Sequence, residues 1–421
     1  RYHILASAGY FWQIVVWNYH IHFLCLCFCK HWNGQWSVAG CWDSPAYGQL
    51  WGDIRCNLVC WFRNDNVDSH ASKTNFVEEA GFSMHGRLTK GICLLTILVM
   101  SLPVLPETVD YSKREEVKSF ARELAESDGF TADGLLTVFR QAKYKQSIID
   151  AISRPAERVL TWSEYQDIFL TRNRIRAGRK FMMENKGALT AAYDKYGVPP
   201  VVVTAIIGVE TMYGNNKGSY RVLDALMTLA FDYPPRSAFF RKELREFILL
   251  VREENQLVTE LQGSYAGAMG YGQFIPSSYR YYAIDFDGDG VRDIWNNPTD
   301  AIGSVANYFS EHGWRKGETV AVNALLENEK GSSVDSKFNV SLKVSSTVAA
   351  MRELGVKPLI EIDEALEVSP MKLAGKNGEE YWLGMHNFYV ITRYNHSRLY
   401  AMAVFQLSEA LRASDKVVSY R

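Results

Sequence analysis

The chain has 421 residues, enough for two or three domains, and its 47% hydrophobic and 13% aromatic content can fill their cores. The formal net charge is -1. No global field therefore points to nucleic acid, although a local patch can still bind a polyanion.

The N-terminal part is unusual in composition. All seven cysteines lie at or before Cys93, seven of the eleven tryptophans precede residue 84, and the first methionine is Met84. After Met84, Arg87 and Lys90 form a short basic region. Ile92 to Leu102 then form an apolar run of secretory-signal length, too short to span a membrane comfortably. We expect translation to start at Met84. Residues 1–83 would then be an upstream extension that does not fold, and residues 84–106 a signal peptide or membrane anchor. The alternative is that residues 1–83 are a real domain. Cys25, Cys27 and Cys29 would then be candidate metal ligands, but CxCxC without a second ligand pair is a weak signal. The apolar run ends without a small-x-small cleavage site, and Cys93 stands at its start, badly placed for lipid attachment. Cleavage and tethering both stay open. From Leu94 to Arg421 there is no cysteine, so this part must be held by its core alone.

Residues 107–200 read as helical. SKREEVKSFARELAESDGF and TADGLLTV space charged and apolar residues as helices do, with Ser112 a candidate N-cap and Glu115 three residues on. The next stretch, VVVTAIIGVETMYGNNKG (Val201 to Gly218), also reads as a helix, opened by Pro199 and Pro200 and ended near Gly214. Val203, Ile206, Ile207 and Glu210 fall on one face of it, which we expect to be buried. Glu210 then sits at the inner end of an apolar stripe, near the negative end of the helix dipole. Desolvation and dipole would both favour its protonated form, which is what a general acid needs. The plainer reading is a Glu that emerges at the helix end and meets an Arg or water.

GSYAGAMGYGQFIPSSYRYYA (Gly263 to Ala283) combines small residues with tyrosines. Small residues let the backbone approach a ligand. Gln273 offers an amide donor and acceptor, and Tyr265, Tyr271, Tyr279, Tyr281 and Tyr282 offer flat faces with a polar edge. Sugars suit that mixture; a tight turn packed beneath aromatics is the plainer reading. DFDGDGVRD follows. Asp285, Asp287, Asp289 and Gly290 make a D-x-D-x-D-G calcium-loop opening, with the Val291 carbonyl at the seventh position. The twelfth position is Asn296 rather than Glu, and the nearest later acid is Asp300. We expect a structural Ca2+ here. Residues 331–392 bunch β-branched and aromatic residues between turns in FNVSLKVSS, ALEVSPMKL and EEYWLGMHNFYVIT, which predicts a few strands. LYAMAVFQLSEALRAS returns to helical spacing.

GVETMYG, SYAGAMGYGQFIPSSY, DFDGDG, DAIGSVANYF and RYNHSRLYAMAV stand in an order that resembles the membrane-bound lytic murein transglycosylase B family. The resemblance runs from about Tyr111 to Ala410. It implies a mainly α (α+β) fold: a lysozyme-like core over residues 201–320, a helical region over 107–200, a small antiparallel β part over 321–392, and a segment over 393–421 that closes the cleft. The implied substrate is the glycan strand of peptidoglycan. Its β-1,4 bond between N-acetylmuramic acid and N-acetylglucosamine would be cut without water, leaving a 1,6-anhydromuramoyl end. The implied catalytic residue is Glu210, and the implied saccharide contacts are Tyr165, Ser264, Gln273, Tyr308, Tyr394, Asn395 and Tyr400. Asp285, Asp287, Asp289 and Asp300 occupy the family's side-chain positions for calcium, but the segment between Trp295 and Asp300 is one residue longer than the pattern, which puts Asp300 in doubt. The implied location is the periplasm, with a membrane tether and complexes with other wall enzymes both open.

Ordinary glycosidases need two carboxylates. Asp224 and Asp232 are the candidates for a second, without supporting pattern. A single Glu suffices if it acts first as acid and then as base, assisted by the muramoyl acetamido group. A hydrolytic muramidase and a non-catalytic wall-binding protein are the other readings.

Overall fold

A computed structural model of the chain describes residues 109–154, 160–327 and 334–413, and the backbone of four N-terminal strands. Those strands, β1 (Ile4–Ser7), β2 (Tyr10–Trp17), β3 (His20–Lys30) and β4 (Trp36–Cys41), pair in that order into an antiparallel sheet. They fall within residues 1–83, expected as an upstream extension that does not fold. Runs such as YFWQIVVW are rich in β-branched and aromatic residues, which favour strand pairing. The sheet belongs to a unit that ends at Leu102. The expected start at Met84, the leader 84–106, and the side chains of Cys25, Cys27 and Cys29 lie outside the described residues.

The second unit begins at Pro103. Tyr111–Lys113 form a single 3-10 turn capped by Asp110, so Ser112 lies inside that turn rather than capping the next helix. Three helices come next: α1 (Glu115–Asp128), α2 (Ala132–Phe139) and α3 (Gln146–Ile152). After them stand α4 (Trp162–Phe169), opened by a capping box between Thr161 and Glu164, α5 (Arg172–Glu184), α6 (Lys186–Tyr196) and α7 (Pro200–Thr211). A two-residue strand β5 (Tyr220–Arg221) leads into α8 (Val222–Asp232) and α9 (Ser237–Glu253). Its partner β6 (Gln262–Gly263) is followed by α10 (Pro276–Tyr282) and α11 (Pro298–Glu311). The small β part holds β7 (Ala321–Leu326), β8 (Ser346–Thr347), α12 (Val348–Glu353), β9 (Val356–Pro358), β10 (Glu367–Gly375) and β11 (Gly378–Gly384). The chain closes with α13 (His386–Tyr394) and α14 (Arg398–Arg412).

Two helical cores form, and neither respects the boundary expected at residue 200. In one, Phe120, Leu124 and Phe139 from the first helices bury against Leu223, Leu226 and Phe247 from α8 and α9. In the other, Trp162, Ile175 and Phe181 join Val203, Ile206 and Ile207 of α7 and Met402 and Leu407 of α14. The amphipathic helices before residue 200 are too short to bury their apolar faces on one another, so both groups of them pack on helices from beyond that point. The third cluster lines the five-stranded antiparallel sheet, ordered β8-β10-β11-β7-β9, where Val322, Val368 and Leu383 meet Met351. Two expected strands are corrected. HNFYVIT is helical in α13, where Phe388, Val390 and Ile391 reach the second core, and FNVSLKVSS contributes only Ser346 to a strand.

Helix α7 is buried all round: every residue from Val201 to Val209 is buried. Helices α5, α6, α11 and α14 pack about it. The single apolar stripe inferred from the sequence is therefore not what places Glu210. The residue stands where a fully enclosed helix emerges. Helix α14 also belongs to this core.

Candidate active site

Helix α7 ends abruptly. After Thr211 the chain turns through Met212 (φ 51), Tyr213 (φ 60) and Gly214 (φ 87), all in the left-handed region. Glu210 is half-buried in the last turn. The Tyr400 Oη donates to its Oε1 at 2.6 Å. Tyr400 comes from the first turn of α14, where Ser397 caps the helix by accepting the Tyr400 N–H at 3.2 Å. Its ring lies parallel to that of Tyr394, 6.4 Å away at 7°. The Tyr394 Oη donates to the Gly272 carbonyl. Burial first, and then the Glu210 charge, push both phenols well above the ordinary tyrosine value. They stay neutral donors at any physiological pH.

The Gly/Tyr loop is tied to the same helix end. The Thr211 Oγ1 donates to the Tyr271 carbonyl at 2.9 Å and accepts the Gly214 N–H at 3.0 Å. Gln273 sits at φ 51, and its Nε2 donates to the carbonyls of Lys217 (3.1 Å) and Gly270 (3.0 Å). The Ser264 hydroxyl turns onto its own loop, accepting the N–H groups of Ala268 at 3.1 Å and Ala266 at 3.3 Å. At Gly218 a Cβ would collide with the Gly263 backbone, so the two segments meet without side chains between them. Tyr308 donates to the Arg393 carbonyl at 2.6 Å, its ring edge-on to Tyr394 at 4.8 Å. Tyr165 is buried on α4 against Trp162, and its phenol adds to the upward shift of Tyr400. Asn395, half-buried, comes directly after Tyr394 and accepts the Ser397 N–H on its carbonyl at 2.7 Å.

The structure thus gathers Glu210, Tyr400, Tyr394, Tyr308, Tyr165 and the Gln273 loop. Not every loop tyrosine offers a face. Tyr279 is fully buried and donates to the Arg292 carbonyl, whereas Tyr281 is 74% exposed. The two candidates for a second carboxylate are occupied elsewhere. Asp224 is buried, with Arg221 at 2.6 Å and the Lys143 N–H at 2.8 Å. Asp232 accepts Tyr111 at 2.6 Å and Arg114 at 2.7 Å. A cavity of about 530 Å3, lined by Gln166, Asp167, Asn323 and Gln406 among others, holds none of the expected residues.

In the acidic loop, carboxylate oxygens of Asp285, Asp287 and Asp289 lie within 4.8 Å of one another. Backbone N–H groups of Gly288 and Gly290 donate to Asp285 at 2.7 and 2.8 Å, and that of Val291 to Asp289 at 2.8 Å, so the loop folds around its own acids. Three carboxylates this close fit a hard divalent cation with oxygen ligands. Asp300 is not one of them. It is fully buried, with its two oxygens taken by the N–H groups of Phe286 (2.8 Å) and Asp293 (2.9 Å). Asp300 thus ties the two ends of the loop together through their backbone N–H groups.

Residues 112–409 match the family described as Transglycosylase SLT domain. The chain belongs to that family. Over 311 residues it is 40% identical to membrane-bound lytic murein transglycosylase B of Escherichia coli, covering 72% of this chain and 84% of the relative. The crystal structure of catenated lytic transglycosylase SltB1 from Pseudomonas aeruginosa is 49% identical, with a TM-score of 0.69, 72% of this chain and 99% of that chain covered. The structure of Escherichia coli lytic transglycosylase Slt35 in complex with calcium is 39% identical, with a TM-score of 0.66, covering 72% and 94%. These likenesses carry the mostly helical, lysozyme-like fold of the transglycosylase family onto the described residues.

Sequence reasoning missed Thr211, which joins the helix end to the loop, and the left-handed turn after it. A Thr directly after the Glu was the available signal, but its partner lies 60 residues away.

Proposed function

We propose that this transglycosylase is a peptidoglycan lytic transglycosylase. It cleaves the β-1,4 bond between N-acetylmuramic acid and N-acetylglucosamine without water and leaves a 1,6-anhydromuramoyl end. The observation that carries this reading is Glu210 at the end of a buried helix, held by a neutral phenol, with Asp224 and Asp232 both engaged elsewhere. Glu210 protonates the glycosidic oxygen. The muramoyl acetamido group stabilises the developing positive charge at C1. Glu210, now a carboxylate, accepts the Tyr400 hydrogen bond and takes the proton from the C6 hydroxyl as that oxygen attacks C1. Bond breaking and bond making then need one protein carboxylate, whereas hydrolysis needs a placed water and usually a second acid. Tyr165, Ser264, Gln273, Tyr308, Tyr394 and Asn395 are the residues assigned to shape the saccharide cleft and exclude water.

Calcium is assigned to Asp285, Asp287, Asp289 and the Val291 carbonyl, on the strength of the clustered carboxylates and of the calcium complex of Slt35. Bound there, the ion would offset the mutual repulsion of the three carboxylates. Peptidoglycan as substrate implies a periplasmic enzyme, and the name of the Escherichia coli relative puts that protein at a membrane. No described helix of this chain is long and apolar enough to cross a membrane.

The test is mass spectrometry of muropeptides released from purified sacculi. The expected product is lighter by one water than the hydrolytic muropeptide and vanishes with Glu210→Gln. Products with a free reducing end would replace this reading by a muramidase.

A further inference from the structure

The turn after Glu210 is held by a side chain the mechanism does not use. Tyr213 is 8% exposed, and its φ of 60 is a conformation that non-glycine residues seldom adopt. Its ring fits between two helices at glycines. A Cβ on Gly208 of α7 would lie 2.6 Å from the Tyr213 Oη, and one on Gly178 of α5 would collide with the same atom. Phe181 packs on the ring at 5.7 Å. The hydroxyl itself finds no hydrogen-bond partner among the described residues. The Tyr213 N–H reaches back to the Ile207 carbonyl, and the Asn216 N–H to the Thr211 carbonyl at 2.9 Å.

We propose that Tyr213 is a positioning residue: its ring, clamped between Gly178 and Gly208, holds the left-handed turn that aims Glu210 at the glycosidic oxygen. This rests on the assignment of Glu210 above. The strained turn persists because the surrounding packing over-determines it, and local strain of this kind collects where geometry must be held tightly. Because the hydroxyl is unpartnered, the ring does the holding. Small displacements of an acid from its target are costly, on the order of a hundredfold per ångström.

The experiment measures kcat and KM for muropeptide release by the full chain, at a temperature where circular dichroism shows each variant folded. Tyr213→Leu and Gly208→Ala should each lower kcat by roughly tenfold or more, with KM little changed. Tyr213→Phe should rescue most of the kcat lost in Tyr213→Leu. The double variant Gly208→Ala/Tyr213→Leu should lose less than the product of the single losses, because the added methyl no longer meets a ring. The proposal is overturned if Tyr213→Leu keeps its kcat, if Tyr213→Phe is as impaired as Tyr213→Leu, or if kcat loss only tracks the fraction unfolded. A wild-type product with hydrolytic ends would sink the lyase reading, while the same kcat comparison would still decide the clamp.

Discussion

Glu210 owes its surroundings to neighbours distant in the chain. Tyr400, 190 residues on, supplies its hydrogen bond, and burial with the Glu210 charge keeps that phenol protonated. A hydrogen bond to a charged group is worth about 1.5–3 kcal/mol. Tyr400→Phe should therefore lower kcat by roughly tenfold to a hundredfold. Steady-state kinetics on sacculi with a folded variant checks this, and an unchanged kcat would show that the contact has no role in turnover. His312 offers a separate test in pH. Burial holds its imidazole below the ordinary value of 6.5, stacked 4.0 Å from Tyr308. The unfolded chain then binds the proton more readily than the folded one. The contribution of this residue is fully present above about pH 6.5 and is lost as pH falls through the depressed folded value. Chemical denaturation across that window should show stability falling with acid, and His312→Phe should flatten the fall.

At the scale of elements, α7 and the acidic loop show how local pattern and packing divide the work. The prolines at the start of α7 and the glycine after its end were readable as punctuation. Its apolar run was readable as a helix, but enclosure on every side came only from α5, α6, α11 and α14. In the loop between α10 and α11, the alternating aspartates announced their clustering, because such spacing brings side chains together whatever the rest of the fold does. Asp300 could not be assigned that way, since its partners are backbone groups of Phe286 and Asp293 set by the path of the loop. If calcium occupies this loop, chelation should lower the melting temperature and added Ca2+ should restore it. At a hundredfold excess over Kd the linkage is worth about 2.7 kcal/mol. Differential scanning fluorimetry would register this, and Asp287→Asn should weaken the response; a midpoint indifferent to both chelator and Ca2+ would remove calcium from the description.

The unit from Pro103 onward is built by interleaving. Both helical cores draw from before and after residue 200, so a cut there exposes two apolar faces at once. Separately expressed fragments 107–200 and 201–421 should therefore be insoluble or lack cooperative unfolding, whereas limited proteolysis of the intact chain should leave that junction uncut. Independent cooperative melting of both fragments would show that the boundary is real. The helical character of residues 107–200, the strand character of ALEVSPMKL and EEYWLG, and the clustering of the three loop aspartates were legible in the sequence. Each depends on residues within a turn or two of one another, through periodicity, glycine and proline punctuation, or charge spacing. Tertiary structure alone decided the Tyr400–Glu210 hydrogen bond, the Thr211–Tyr271 tie, the occupied states of Asp224 and Asp232, the burial of Asp300 and the Tyr213 clamp. These contacts join segments whose meeting is set by helix packing, and no local pattern records which distant side chain will face a given atom.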